Sequence, residues 1–173
     1  EYLRLNGVKF QPGENLWDIN ATPATEEFEN VFAKVPHSTT ASGFVDKPAV
    51  QMNGKLSNNL PCQIFHFKMN VEQLRQAAKK HNSTISVYML AQMFLAGRAA
   101  TDDLHGEASI QVPVNMRKFY PTKTVRNFSM YCGVRLPVDQ INDIEGIIEP
   151  IREQINQKTT KEVMSQMLTA ADR

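Results

Sequence analysis

Cysteine is nearly missing from this sequence. Cys62 and Cys132 are the only two in 173 residues, too few for a disulfide framework and without metal-ligand spacing. Buried, reduced thiols in a cytoplasmic protein are the expectation. An excess of charge of one sign is missing too: 19 Lys+Arg stand against 18 Asp+Glu, a net charge of +1. That balance speaks against a nucleic-acid domain whose affinity rests on backbone neutralisation. No apolar run approaches the roughly 18 residues of a membrane span. The eight glycines are dispersed, so no phosphate-cradling loop is present. No serine lies in the Gly-x-Ser-x-Gly setting of a hydrolase nucleophile. The four histidines, His37, His66, His81 and His105, have no His or Cys partner at i+3 or i+4, and no metal site is expected.

What is present is a globular composition, 42% hydrophobic and 21% charged. A chain of this length buries roughly 70% of its unfolded surface. It opens at Glu1 with neither a Met nor a signal segment and stops at Arg173 directly after a helical run. These ends are expected to be those of a fragment of a longer protein.

Residues 1–48 read as an extended connector. They are rich in turn formers such as Asn6-Gly7, Pro12-Gly13 and Ser42-Gly43, with a short strand at 2–5 and a short helix over 25–34. Residues 49–173 read as the structured part. Alternation of Ile64, Phe65 and Phe67 with Gln63, His66 and Lys68 predicts a strand over 63–68. Asn70 then caps a helix with the stripe Val71, Leu74, Ala77 and Ala78, ended by His81-Asn82. A second helix over 83–100 is apolar nearly all round, which predicts burial on most sides. Strands follow at 108–115 and 128–136, the latter closed by Pro137. Ile144, Ile147, Ile148, Ile151 and Ile155 form a helical stripe, in which Pro150 is expected to cause a kink or mark the true start. Another helix covers 160–171. The class is α/β, in the sense of an α+β sandwich with helices laid against a sheet.

The histidines invite a structural reading. His66 lies on the polar side of its strand, and His81 sits at a helix end where a cation suits the dipole. His37 lies in a polar loop. Buried packing suits both cysteines. The most distinctive segment runs Pro113-Val114-Asn115-Met116-Arg117-Lys118-Phe119-Tyr120-Pro121-Thr122-Lys123-Thr124-Val125-Arg126-Asn127-Phe128. Basic and aromatic residues interleave between two strands. Such a loop can stack and neutralise a nucleotide or simply be solvated. Arg117, at the end of a strand, has the planar fork that holds a carboxylate from elsewhere in the protein.

This segment resembles a stretch of bacterial alcohol-acetyltransferase-like proteins. They belong to the CoA-dependent acyltransferase superfamily, which includes chloramphenicol acetyltransferase, carnitine acyltransferases and the condensation domains of nonribosomal peptide synthetases. The connector from Asp18 to Phe32 resembles the family's inter-lobe segment, and Val71 to Leu95 its helix pair with a Thr84-Ile85-Ser86 start. The resemblance implies a chloramphenicol-acetyltransferase-like lobe, a mixed sheet covered by helices, with an active-site tunnel between this lobe and another. In the superfamily the catalytic base is the second His of His-His-x-x-x-Asp on the first lobe. No two histidines are adjacent here, so the chain holds no catalytic residue of that type. It corresponds to the crossover and most of the second lobe. The family's Asp pairs with a second-lobe Arg, a role that falls to Arg117. Asn115, Arg126, Asn127 and Phe128 match positions that line or support the tunnel.

The implied function is acyl transfer from a thioester, acyl-CoA or a carrier-protein thioester, to an alcohol or amine, in a parent enzyme of which this chain alone is inactive. No covalently bound cofactor or metal is implied. The partners implied are the missing N-terminal lobe of the same protein, the thioester and its acceptor, and a second copy meeting through the exposed lobe face. Neither nucleic acid nor a membrane is among them. The alternative is a non-catalytic ligand- or protein-binding module of the same fold. A third reading, a nucleic-acid domain using residues 118–126, would show affinity falling steeply with salt.

Overall fold

A computed structural model describes residues 5–7, 22–39, 47–54 and 64–171. Among them are four α-helices, α1 (Val71–Lys80), α2 (Ile85–Ala99), α3 (Ile144–Lys158) and α4 (Lys161–Ala171), and two strands, β1 (Glu107–Asn115) and β2 (Ser129–Pro137). The α/β class expected from the sequence is present in this coarse form. The sheet is two-stranded and antiparallel, with register Glu107↔Pro137 through Asn115↔Ser129.

Local chemistry sets the helix ends. The Asn70 side chain accepts from the amides of Glu72 (2.9 Å) and Gln73 (3.1 Å), two of the donors that a helix start leaves unpaired. Thr84 caps α2 through Val87 N–H (3.3 Å), and Asp143 caps α3 through Gly146 N–H (2.8 Å). Between α1 and α2 the chain reverses through Asn82, whose φ of 49° lies in the left-handed region that Asn tolerates. Pro150 neither begins α3 nor ends it: the helix starts at Ile144 and runs past it. Its exposed ring sits on the solvent side, four residues after Gly146, where the freed carbonyl meets water.

Even-numbered strand residues face the core. Val134 and Leu136 pack with Val87, Leu90 and Phe94 of α2 and with Ile147, Ile148 and Ile151 of α3. At the other end of the hairpin Val114, Met116, Phe128 and Cys132 pack with Val31 and Val35 of the connector and Met164 of α4. The apolar circumference of α2 is buried only in part: Met93 is exposed. Gly106, with φ of 107°, turns the chain into β1 and accepts from Val138 N–H (3.0 Å).

Three expectations are corrected. The helix expected over 25–34 is two 3-10 turns, Thr25–Phe28 and Val31–Lys34, separated by Glu29-Asn30. The strand expected over 63–68 does not form over its described residues, 64–68, which carry no regular structure. Alternation creates a strand only where a neighbour supplies hydrogen bonds, and Ile64, Phe65 and Phe67 remain exposed at 77%, 70% and 81%. Val71, expected in the buried stripe of α1, is also exposed. The strand expected at 2–5, apart from Leu5, and Cys62 lie outside the described residues.

Candidate functional site

The loop from β1 to β2 is built around Arg117. Met116 N–H donates to Phe128 O (3.0 Å), closing the loop's base directly beyond the strand ladder. Asn115 accepts Arg117 N–H through its side chain (3.1 Å), which starts a 3-10 turn over Met116–Lys118. The Arg117 guanidinium then reaches across. Its Nη2 donates to Thr124 O (2.7 Å) and to Arg126 O (2.8 Å). A loop that bends back on itself leaves carbonyls converging, and a fixed cation with several donors satisfies them.

The far side of this loop holds the connector. Thr124, buried, shares its hydroxyl proton between Glu29 O (2.8 Å) and Glu27 O (3.1 Å). Val125 N–H donates to Glu27 O (2.8 Å), and Arg126 Nη1 to Phe28 O (3.3 Å). Phe128 is buried beneath, edge-on to Phe32 with centroids 4.9 Å apart. The structure therefore gathers Asn115, Arg117, Arg126 and Phe128 into one braced unit, with Asn127 exposed beside it. Lys118 lies over the Phe119 ring and Lys161 over the Tyr120 ring, at 5.5 and 4.7 Å.

This geometry refines the carboxylate expectation for Arg117. Both guanidinium forks share Nη2, and both protons of Nη2 are held by carbonyls. Among the described residues Arg117 forms no ion pair. A carboxylate arriving from elsewhere finds Nε and Nη1, each a single-point donor.

A cleft of about 380 Å³ opens between residues 49–52, α2 and β1. Val50, Met93, Phe94, Ala108 and Ile110 make it apolar, and the Thr101 and Ser109 hydroxyls are its polar notes. Thr101 Oγ1 donates to Gln51 O (2.8 Å) and so ties down the strap that forms one wall. Among the described residues no titratable side chain lines it. A second, shallower cleft brings His37 beside Tyr120, Lys161 and Ser165.

His81 has an orienting partner that its sequence neighbourhood does not show. Its Nδ1 lies 2.6 Å from Glu145 Oε1, and its ring stacks on Tyr88 at 5.6 Å. Glu145 stands 64 residues away, and only the packing of α3 against the α1–α2 turn joins them. His66 is exposed on the unpaired segment, and His105 is exposed in the loop before β1.

One lysine is unusual. Lys158 Nζ donates to Gly133 O and Gln154 Oε1, both at 2.7 Å. Burial lowers its pKa from the ordinary 10.5, and Arg135 adds to this, while Cys132 and Glu107 oppose it. Burial pushes the Cys132 thiol up from 9.0, against the nearby Lys158 charge. A raised thiol pKa suits packing and disfavours a nucleophile.

Among the described residues no group of three His, Cys, Asp or Glu could hold a metal ion, and no helix is long and apolar enough to cross a membrane. No protein-family model matches this chain, and comparisons with curated proteins and with solved structures find no match either.

Proposed function

We propose that this chain is the second-lobe part of a CoA-dependent acyltransferase with a chloramphenicol-acetyltransferase-like fold. It would act in the cytoplasm, together with a lobe carrying the catalytic histidine. One observation supports this reading most. The segment 113–128, on which the family resemblance rests, forms a single unit braced by Arg117 and joined to the connector through Thr124. A segment needed only to reverse the chain would not require a hydroxyl held by two part-buried hydrogen bonds to residues almost a hundred positions away.

The donor is acyl-CoA or a carrier-protein thioester, and the acceptor an alcohol or amine. A neutral imidazole on the other lobe takes the acceptor's proton, and the acceptor attacks the thioester carbonyl carbon. The tetrahedral oxyanion collapses, the C–S bond breaks, and the leaving thiolate takes the proton from the imidazolium. Arg117 serves as a positioning residue. Its Nε or its Nη1, as a single-point donor, holds the carboxylate of the histidine loop, while Asn115, Arg126, Asn127 and Phe128 shape the wall nearby. The partners are that lobe, the two substrates, and a second copy meeting the exposed lobe face.

The test is a thiol-release assay on the full polypeptide encoded by the gene. Acyl-CoA or carrier thioesters should liberate free thiol only when an alcohol or amine is added. No release above background with any donor, in a folded protein, contradicts the proposal. The cleft at Met93 and Ser109, with no titratable group among its described lining residues, favours a second reading, a non-catalytic module that binds an apolar ligand. Saturable binding of an acyl thioester without turnover by the full polypeptide would select it.

A further inference from the structure

The two edges of the sheet are treated differently. On β2 three outward backbone groups are covered: Arg135 N–H donates to Gln154 Oε1 (3.1 Å), Gln154 Nε2 donates to Arg135 O (2.6 Å), and Lys158 reaches Gly133 O. These contacts show that odd-numbered residues point their backbone off the sheet. Opposite them on β1, Glu107 O accepts from Val50 N–H (3.0 Å). Beyond Glu107 that edge is open among the described residues. Among the described residues nothing bonds the outward N–H and C=O of Ser109 and Gln111 or the carbonyl of Pro113. Pro113 sits where a missing N–H would face outward, as edge strands allow.

A five-residue segment with the opposite deficiency lies close by in the topology. Residues 64–68 alternate in pattern, carry two exposed phenylalanines and have no strand partner. They lead directly into Asn70, the cap of α1. α1 packs on α2, and α2 packs on β1. An antiparallel α1–α2 hairpin directs the α1 start toward the α2 C-terminal half, where Met93 and Gly97 line the apolar cleft beside Ile110.

We propose that residues 64–68 add to the open edge of β1 as a third, antiparallel strand, with the Phe67 ring filling the cleft. Each reversal of the chain, from 64–68 into α1, α1 into α2 and α2 into β1, fixes the antiparallel sense. The faces fix the register. Phe65 and Phe67 must share the core side with Val112 and Ile110. That sets His66 against Gln111 and Lys68 against Ser109 as the hydrogen-bonded pairs, and Ile64 N–H against Pro113 O. Val50 keeps Glu107, so the added strand begins where the existing contact stops. Closure removes two exposed aromatic rings from water and covers an edge that otherwise invites another chain.

Amide hydrogen exchange on the full chain tests this. The amides of His66, Lys68, Ser109 and Gln111 should exchange at least about tenfold slower than unstructured ones. The slowing should be independent of protein concentration. His66→Pro removes the N–H that donates to Gln111 and should release the remaining three amides, those of Lys68, Ser109 and Gln111, while the β2 amides of Val134 and Leu136 stay protected. Free exchange at Ser109 and Gln111 in the unsubstituted chain overturns the proposal. So does protection that persists in His66→Pro. Protection that appears only on concentrating the sample also overturns it, because it assigns the edge to a second copy.

Discussion

Replacing Arg117 by Ala removes the two bonds from Nη2 to Thr124 O and Arg126 O. A hydrogen bond to a charged group contributes about 1.5–3 kcal/mol net. Arg117 is half-buried, so solvent competes and the lower end applies to each bond. The two carbonyls also lose a partner in a bend where they converge. The expected loss is about 2–3 kcal/mol, which for a chain of this size lowers Tm by about 4–12 °C. Arg117→Lys should recover less than half, because an ammonium on a flexible stem is a point donor and spans two carbonyls poorly. The damage should be local first. Thr124 and Val125 hold the connector, so limited proteolysis should open residues 116–128 and 25–35 before the sheet. Urea unfolding of the three proteins, read together with the first cleavage sites, gives the answer. A change under 0.5 kcal/mol in Arg117→Ala with an unchanged cleavage pattern would refute the brace.

Phe128→Ala deletes a buried ring in edge contact with Phe32 and should cost about 3–5 kcal/mol; denaturant unfolding measures it, and a cost below 1 kcal/mol would remove Phe128 from the core. Asp143→Ala loses the cap on Gly146 N–H and should cost about 1 kcal/mol, whereas Asp143→Asn should cost much less; thermal unfolding separates them. Cys132 should resist thiol reagents at neutral pH in the folded chain and react in urea, read at the peptide level so that Cys62 is counted apart. The same thiol gives a pH dependence. Its folded pKa is raised, so the folded state holds the proton longer, and its stabilising contribution is complete below about pH 9 and is lost as pH rises through the folded value. Lys158 acts in the opposite sense: its lowered pKa means stability gained as pH rises toward 10.5. Cys132→Ala should therefore shift the alkaline stability profile upward relative to the unsubstituted chain, and a profile that declines as before contradicts the burial of the thiol.

The elements most legible in the sequence were those specified locally. Asn70 and the isoleucine stripe of α3 act through neighbours two to four residues away, and both stand where the pattern put them. The strand hairpin follows from alternation on both sides of the loop. What failed depended on partners distant in sequence. The 63–68 pattern states a preference, but a strand exists only against an edge, and nothing local says whether one is offered. Pro150 was expected to kink the helix or mark its start, and the helix starts earlier, at Ile144. In the candidate site, Asn115, Arg117, Arg126, Asn127 and Phe128 were singled out together, and all but the exposed Asn127 are joined in one unit. The contacts that hold them, Thr124 on Glu27 and Glu29, span almost a hundred residues. The His81–Glu145 pair was missed for the same reason, since the two share no helix or strand.

The acyltransferase reading requires a catalytic histidine that this chain does not hold. The reading frame upstream of Glu1 decides it most directly. The account predicts a His-His-x-x-x-Asp motif within a lobe-sized stretch that precedes this one. A frame that begins near Glu1, or a preceding lobe without the motif, would contradict acyl transfer and leave a binding module in its place.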